Sequence, residues 1–163
     1  MSFKFFIIKT IKSYKTLKKL NIEIPIPTSP VGNYLAYKIS GNKIYISGQL
    51  PINKDGNMIK GKIGNELTEE DGKKAALLCI LNSIGHLKNA VQNLDKVKSC
   101  IKINGYINSV NNFENHPVLL NSASDLLVKI FGEKGKHARA VVGVSSLPLN
   151  AAVEIETIFE IEI

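Results

Sequence analysis

Residues 68–91 read TEEDGKKAALLCILNSIGHLKNAV, and their apolar side chains recur at the spacing of one helix face. Thr68 suits the cap position, and the three acids that follow it favour the positive end of a helix dipole. The apolar stripe that follows has spacings of three and four residues: Ala76, Ile80, Ile84, Leu87 and Val91. This stretch therefore predicts a long amphipathic helix that packs against a second layer.

The residues beyond this helix predict that the second layer is a β-sheet. Residues 97–107 alternate between two sets of side chains, as a strand with one face in the core does. The inward set is Val97, Ser99, Ile101, Ile103 and Ile107, and the outward set is Lys98, Lys102, Asn104 and Asn108. Residues 34–40 and 43–48 predict a hairpin around the two-residue turn Gly41-Asn42.

A second helix is expected to begin near Pro117, which suits a first helical turn, and to end at Gly132. Its inner stripe is Leu119, Ala123, Leu126 and Ile130. Strands are expected at residues 138–144 and 152–163, which makes the order β-β-α-β-α-β-β. Two amphipathic helices on one face of such a sheet predict a two-layer α+β domain.

The last strand separates apolar from acidic side chains. One face carries Val153, Ile155, Thr157, Phe159 and Ile161, and the other carries Glu154, Glu156, Glu160 and Glu162. The first face is expected to pack on the helices. The second is expected to face solvent or a wet interface between subunits.

The net charge of +7 is concentrated at one end of the chain. Six lysines lie in the first 20 residues, which contain no acid, and without them the net charge falls from +7 to +1. A near-neutral body disfavours nucleic-acid binding, which normally needs a basic track. We divide the chain into an N-terminal extension, residues 1–27, and a domain, residues 28–163.

The extension is predicted to be a basic helix followed by a proline-containing connector. Its helix carries one apolar face: Ile7, Ile11, Tyr14 and Leu17. The helix is expected to pack on the domain or on a partner subunit, and a flexible basic arm and a targeting signal are the alternatives.

No apolar run approaches the roughly 20 residues that cross a bilayer. Cys79 and Cys100 lie in apolar periodic segments and have no metal-like spacing with histidines. Buried free thiols in a reducing compartment are therefore expected. The sequence predicts a cytoplasmic protein with no membrane span, disulfide or metal site.

Five short motifs together resemble the reactive-intermediate deaminase family, also called YjgF-like. They are GNY (32–34), SGQLP (47–51), Asn121 in the second helix, HAR (137–139) followed by LP (147–148), and VEIE (153–156). The resemblance implies a chorismate-mutase-like fold and a homotrimer with sites in clefts between subunits. It also implies hydrolysis of 2-imino acids to 2-keto acids and ammonia without a metal or an organic cofactor.

Arg139 is the only arginine beside 20 lysines. A guanidinium offers a rigid fork that matches both oxygens of a carboxylate, whereas lysine offers one flexible point charge. The resemblance implies that Arg139 binds the carboxylate of a small metabolite. The alternative is an ion pair with a glutamate of the same sheet.

Glu154 is the acid that the resemblance selects to hold or activate the attacking water. A carboxylate that is partly desolvated in a cleft has a raised pKa and can act as acid or base near neutrality. The alternative is that Glu154 is one of four equivalent outward glutamates. Only its place in the motif distinguishes it from Glu156.

Five further positions concern the pocket. The resemblance implies that Tyr34, Ser47 and Asn121 line it, although each could also serve only local structure. Val141 stands where the better-known branch of the family has cysteine, which leaves only its backbone N–H for the carboxylate. His137 shares strand parity with Arg139 and could face the same cleft.

Two other functions remain open at this point. The same clefts could bind a small carboxylate metabolite without catalysis, as in a regulatory protein. RNA binding or endoribonuclease activity, attributed to some members of the family, is disfavoured by the near-neutral body.

Overall fold

A computed structural model describes residues 12–27, 30 and 32–162 of the chain. The helices are α1 (Lys12–Lys19), α2 (Glu69–Val91) and α3 (His116–Phe131). The strands are β1 (Tyr37–Ser40), β2 (Lys43–Gln49), β3 (Val97–Asn108), β4 (Ala138–Val144) and β5 (Val153–Ile161). Within these described residues, no helix is long and apolar enough to cross a membrane.

The strands form one mixed sheet in the order β1-β2-β5-β3-β4. The β3–β4 pair is parallel, and the other three pairs are antiparallel. Because parallel neighbours need a crossover connection, α3 lies between β3 and β4 in the chain. With α2 and α3 on one face of the sheet, the predicted two-layer α+β fold and its element order are confirmed.

Local chemistry sets the limits of α2. Thr68 Oγ1 accepts from the Asp71 backbone N–H at 3.2 Å, and the Thr68 backbone N–H donates to Asp71 Oδ2 at 3.1 Å. These reciprocal bonds satisfy donors that a helix start leaves unpaired. The Thr68 bonds also hold the pKa of Asp71 below its usual range. Every residue of the predicted stripe from Ala76 to Val91 is buried, which confirms the helix and its face.

The core lies between the helices and one face of the sheet. The predicted inner stripes of α3 and β5 are both buried, and Phe131 meets the fully buried Phe159 at 6.3 Å between ring centroids. The opposite sheet face carries no helix of the described residues and is called the open face below.

The predicted faces of β3 are wrong near its start. Bulges between Val97 and Ser99 and between Cys100 and Lys102 each insert an extra residue against β5. Cys100 is consequently buried, while Ser99 and Ile101 are only partly buried. A strict two-residue period cannot anticipate this, because each bulge reverses the alternation.

Asn108, predicted to face outward, is also buried. Its Nδ2 donates to Asn150 Oδ1 at 3.1 Å and to the Ala151 carbonyl at 3.2 Å. The backbone of Asn108 pairs with Ile63 and Ala152. Asn108 therefore joins the loop between β2 and α2 to the loop between β4 and β5.

The N-terminal helix packs on the body, and Leu17 of the predicted face takes part in this contact while Tyr14 does not become buried. Ser13 and Leu17, one turn apart, are buried, whereas Tyr14 is 44% exposed. Ser13 donates through its backbone N–H and its hydroxyl to Asp95 Oδ1 at 3.0 and 2.5 Å. The predicted contributions of Ile7 and Ile11 lie outside the described residues.

A buried polar pair joins the two layers. Ser83 Oγ of α2 and Thr157 Oγ1 of β5 lie 2.6 Å apart, and both side chains are almost fully buried. Thr157 can therefore point into the apolar core, because the Ser83 hydroxyl on the facing helix gives its own hydroxyl a hydrogen-bond partner.

Ser83→Ala is expected to lower the free energy of unfolding by about 1–3 kcal/mol, because the Thr157 hydroxyl is left without a partner in the core. Chemical denaturation followed by circular dichroism measures this. The double variant Ser83→Ala/Thr157→Val removes both polar groups and should recover most of the loss. A double variant less stable than Ser83→Ala would contradict this explanation.

Candidate functional site

Arg139 lies in β4, one of the two edge strands of the sheet, and its side chain points to the helix side. It pairs in register with Ile103, which is buried beneath the helices. Its Nη1 donates to Asn121 Oδ1 at 2.8 Å and to Ser124 Oγ at 3.3 Å. Asn121 and Ser124 share one face of α3, since they are three residues apart.

Arg139 is exposed and forms no ion pair with any carboxylate in the described part of the chain. The alternative of a pair with a glutamate of the same sheet therefore finds no support within one chain. The residue holds a full positive charge at a surface, with hydrogen-bond donors left over.

His137 contacts Ser124, the same side chain that Arg139 contacts, as its strand parity predicted. Its Nε2 lies 3.0 Å from Ser124 Oγ, and its Nδ1 lies 2.6 Å from the Gly135 carbonyl oxygen. Asn121, Ser124, His137 and Arg139 therefore form a connected set, called the arginine cluster below.

The four glutamates of β5 and its end lie along the open face, but they are not equivalent. Glu156 accepts from Asn104 and Tyr106, Glu160 from Asn42 and Ser99, and Glu162 from Lys98. Among the described residues, none donates a hydrogen bond to Glu154. The structure thus distinguishes Glu154 from Glu156, which the sequence pattern could not do.

The carboxylate of Glu154 occupies space that Gly48 leaves. A Cβ at position 48 would lie 2.8 Å from Glu154 Cδ and would overlap Oε1. Burial raises the pKa of Glu154, and the negative charge of Glu156 raises it further. A half-buried carboxylate with a raised pKa has the properties of an acid–base group.

The remaining predicted residues lie near β1 and β2. Ser47 Oγ donates to the Leu35 carbonyl at 2.7 Å, next to Tyr34, which is 58% exposed. Ser47 also borders a shallow groove of about 410 Å³ on the open face, which Glu156 lines as well. Val141, partly buried, sits on the edge strand two residues beyond Arg139.

The predicted site residues fall into two groups within one chain. Arg139, His137 and Asn121 lie on the helix side at the β4 edge, whereas Glu154 and Ser47 lie on the open face. Three strand spacings separate β2 from β4, or about 14 Å at the usual distance between strands. A small molecule held by Arg139 therefore does not reach Ser47 of the same chain.

The described residues contain no group of three or more His, Cys, Asp or Glu side chains that could hold a metal ion. Cys79 and Cys100 are buried free thiols, and burial raises the pKa of Cys100 to about 12. The side chains available for chemistry around Arg139 and around Glu154 are therefore a guanidinium, amides, hydroxyls, an imidazole and carboxylates.

Sequence reasoning missed two residues of these groups. Ser124 contacts both Arg139 and His137, and its spacing of three from Asn121 on a predicted helix was the available signal. Gly48 stood inside the SGQLP motif, but its proximity to Glu154 depends on the pairing of β2 with β5.

An α+β domain with this mixed sheet, helices on one face and an open opposite face belongs to the chorismate-mutase-like class. The family model described as "YjgF/chorismate_mutase-like, putative endoribonuclease" matches residues 15–161. The chain therefore belongs to the YjgF/chorismate mutase-like family, as its motifs indicated.

Several relatives resemble the chain over most of its length. Protein TCP17 of Trypanosoma cruzi is 40% identical over 146 residues, covering 89% of this chain and 91% of that protein. The 2-iminobutanoate/2-iminopropanoate deaminase of Dermatophagoides farinae is 30% identical over 142 residues, covering 86% and 95%. The crystal structure of Atu1372 from Agrobacterium tumefaciens, described as of unknown function, has a TM-score of 0.86 at 39% identity and covers 92% of each chain.

Proposed function

We propose that the protein hydrolyses reactive 2-imino acids and their enamine forms to 2-keto acids and ammonia. The observation that carries the proposal is the contrast between two side chains. Arg139 has no acidic partner in the described part of the chain, and Glu154 alone of its row accepts no described hydrogen bond. The similarity to a named 2-iminobutanoate/2-iminopropanoate deaminase supports this reaction class.

In the proposed reaction, Arg139 binds the substrate carboxylate and Asn121 helps to orient it. Glu154 accepts a proton from water as the oxygen forms a bond to the imine carbon. The C=N bond becomes a single bond and its nitrogen takes the proton from Glu154, which gives a carbinolamine. The carbinolamine hydroxyl then loses its proton through Glu154 and forms the keto C=O bond, and this second proton goes to the nitrogen, which leaves as ammonia when the carbon–nitrogen bond breaks. Water, a guanidinium and a carboxylate supply every group that this reaction needs, so the proposal includes no metal or organic cofactor.

A homotrimer with clefts between subunits is part of the proposal. Arg139 and Glu154 lie on opposite sides of one sheet, so one site needs Arg139 of one copy and Glu154 of the next. Closed rings of identical subunits bring different surfaces of the chain together in this way. Tyr34 and Ser47 would then join the site from the second copy, and the Val141 backbone N–H would assist Arg139.

We propose that the reaction takes place in the cytoplasm, and the two buried free thiols of the described fold support a reducing compartment.

Purified protein should accelerate the decay of 2-imino acids generated in the assay by an amino-acid oxidase, with equal release of keto acid and ammonia. A rate equal to that of buffer would contradict the proposal. Tight binding of the product keto acid without such acceleration would instead favour a non-catalytic carboxylate-binding protein.

The family description also mentions endoribonuclease activity. Against that function, the open face carries a row of four glutamates, which repel a phosphate backbone. RNA affinity that persists after deletion of residues 1–20, with a steep salt dependence, would reverse this preference.

Gly48→Ala is expected to lower kcat about as strongly as a change of Glu154 itself, with little loss of thermal stability. The new methyl group displaces the flexible carboxylate end of Glu154 rather than backbone. Steady-state kinetics and thermal melting measure the two effects. Gly56→Ala is the control that separates kcat from stability: its φ of +81° strains an alanine there, so thermal stability should fall while kcat stays normal. A Gly48→Ala variant with normal kcat would contradict this placement of Glu154.

A further inference from the structure

The hydrogen bonds of the arginine cluster have only one consistent direction when His137 is neutral. The Gly135 carbonyl can only accept, so His137 Nδ1 carries the hydrogen and donates to it at 2.6 Å. His137 Nε2 is then an acceptor and takes the hydroxyl hydrogen of Ser124 at 3.0 Å. Ser124 Oγ keeps its lone pairs for Arg139 Nη1 at 3.3 Å.

This arrangement also determines which part of the guanidinium is left for a ligand. Nη1, which carries two of the five guanidinium hydrogens, donates to both Asn121 Oδ1 and Ser124 Oγ. The three remaining hydrogens belong to Nε and Nη2, which lie side by side on one edge of the planar group. That edge is the one that can hold both oxygens of a carboxylate in parallel.

We propose that Ser124 and His137 are positioning residues that hold Nη1 of Arg139 and so present its Nε–Nη2 edge to the substrate carboxylate. This proposal rests on the proposed function for the identity of the ligand, a 2-imino or 2-keto acid.

The same contacts exclude His137 from binding the ligand directly. Both of its ring nitrogens are occupied, by Gly135 and by Ser124, so neither is free to bind a small molecule. His137 acts on the ligand only through Ser124 and Arg139. The three residues come from the turn before β4, from β4 itself and from α3, so the position of the guanidinium depends on the packing of helix against edge strand.

The single arginine of the chain makes the proposal directly measurable. Protein grown with ¹⁵N-arginine gives guanidinium NMR signals from Arg139 alone. In the wild-type protein, the bonds at Nη1 should slow rotation about the Nε–Cζ bond and yield separate Nη1 and Nη2 signals at low temperature. At the highest temperature that keeps the wild-type signals separate, Ser124→Ala and His137→Phe should merge them, because the Asn121 bond then holds Nη1 without a directed Ser124 Oγ. Ser124→Thr should keep them separate.

Kinetics supply a second readout. Ser124→Ala is expected to raise KM for 2-iminobutanoate, and Kd for 2-oxobutanoate, about tenfold with a small change in kcat, because lost positioning weakens binding of the carboxylate in ground and transition states alike. Ser124→Thr should restore both values. Ser122→Ala makes the same change on the same helix, where the hydroxyl bonds only backbone carbonyls, and should leave KM and the NMR signals unchanged.

The outcomes separate this proposal from the one it rests on. Signals that stay separate in Ser124→Ala, or that are merged in the wild-type protein, would overturn the positioning role even if imines are hydrolysed. Signals that merge only in Ser124→Ala and His137→Phe, in a protein without imine hydrolysis, would support the positioning role and contradict the deaminase function.

Discussion

Arg139→Lys is expected to lower kcat/KM for 2-imino acids by about 100-fold or more while the fold is retained. A hydrogen bond to a charged group contributes about 1.5–3 kcal/mol, and lysine cannot form the two parallel bonds of the guanidinium fork. Lysine also cannot reach Asn121 and a carboxylate with the same planar geometry. Steady-state kinetics on in-situ generated 2-iminobutanoate measure the loss, and circular dichroism checks the fold.

The control for this change is Lys129→Arg, which exchanges the same two residue types at an exposed position of α3. It should have wild-type kinetics. Hydrolysis by Arg139→Lys at the wild-type rate would mean that the carboxylate is bound elsewhere and would remove the main support for the proposed site.

Glu154→Gln is expected to lower kcat by about 100-fold or more, within the range that general acid–base groups contribute. KM should change little, because the amide keeps the size of the side chain. Glu162→Gln is the matched control, since Glu162 lies on the same face, is exposed and pairs only with Lys98. Equal losses in the two variants would show that the negative charge of the whole row matters rather than Glu154.

The pH profile should report on the same carboxylate. Only ionised Glu154 accepts a proton from water, so kcat/KM falls as the pH is lowered through its pKa. Because burial and Glu156 raise that pKa, the acidic limb should lie at higher pH than the pKa of an ordinary glutamate. Glu156→Gln removes one of the two causes and should move the limb to lower pH.

The elements of the fold could be predicted wherever one periodicity ran without interruption. The stripe of α2 and the alternation of β5 are examples, because each position repeats the same environment. Prediction failed at the start of β3, where bulges reverse the alternation, and at Asn108, whose burial depends on two loops distant in the chain. These features arise from pairing between segments, which a local pattern does not contain.

The residues of the candidate site also divide into those that a local pattern predicts and those that depend on pairing between strands. A single guanidinium among lysines, within the HAR motif, indicated Arg139, and strand parity indicated that His137 would share its surroundings. The distinction between Glu154 and Glu156 depends on Gly48, Asn104 and Tyr106, which come from neighbouring strands. Strand order, which the sequence did not predict, separates Arg139 from Ser47 and thereby makes a second copy necessary for the proposed site.

Mixing two inactive variants tests that shared site most directly. In a ring that contains Arg139→Lys and Glu154→Gln chains, some clefts receive Arg139 from one chain and Glu154 from its neighbour. After joint unfolding and refolding of equal amounts, about one cleft in four of a random trimer should be intact, so about a quarter of the wild-type activity should return. No recovery, in a mixture shown to contain mixed oligomers, would contradict a site built from two chains.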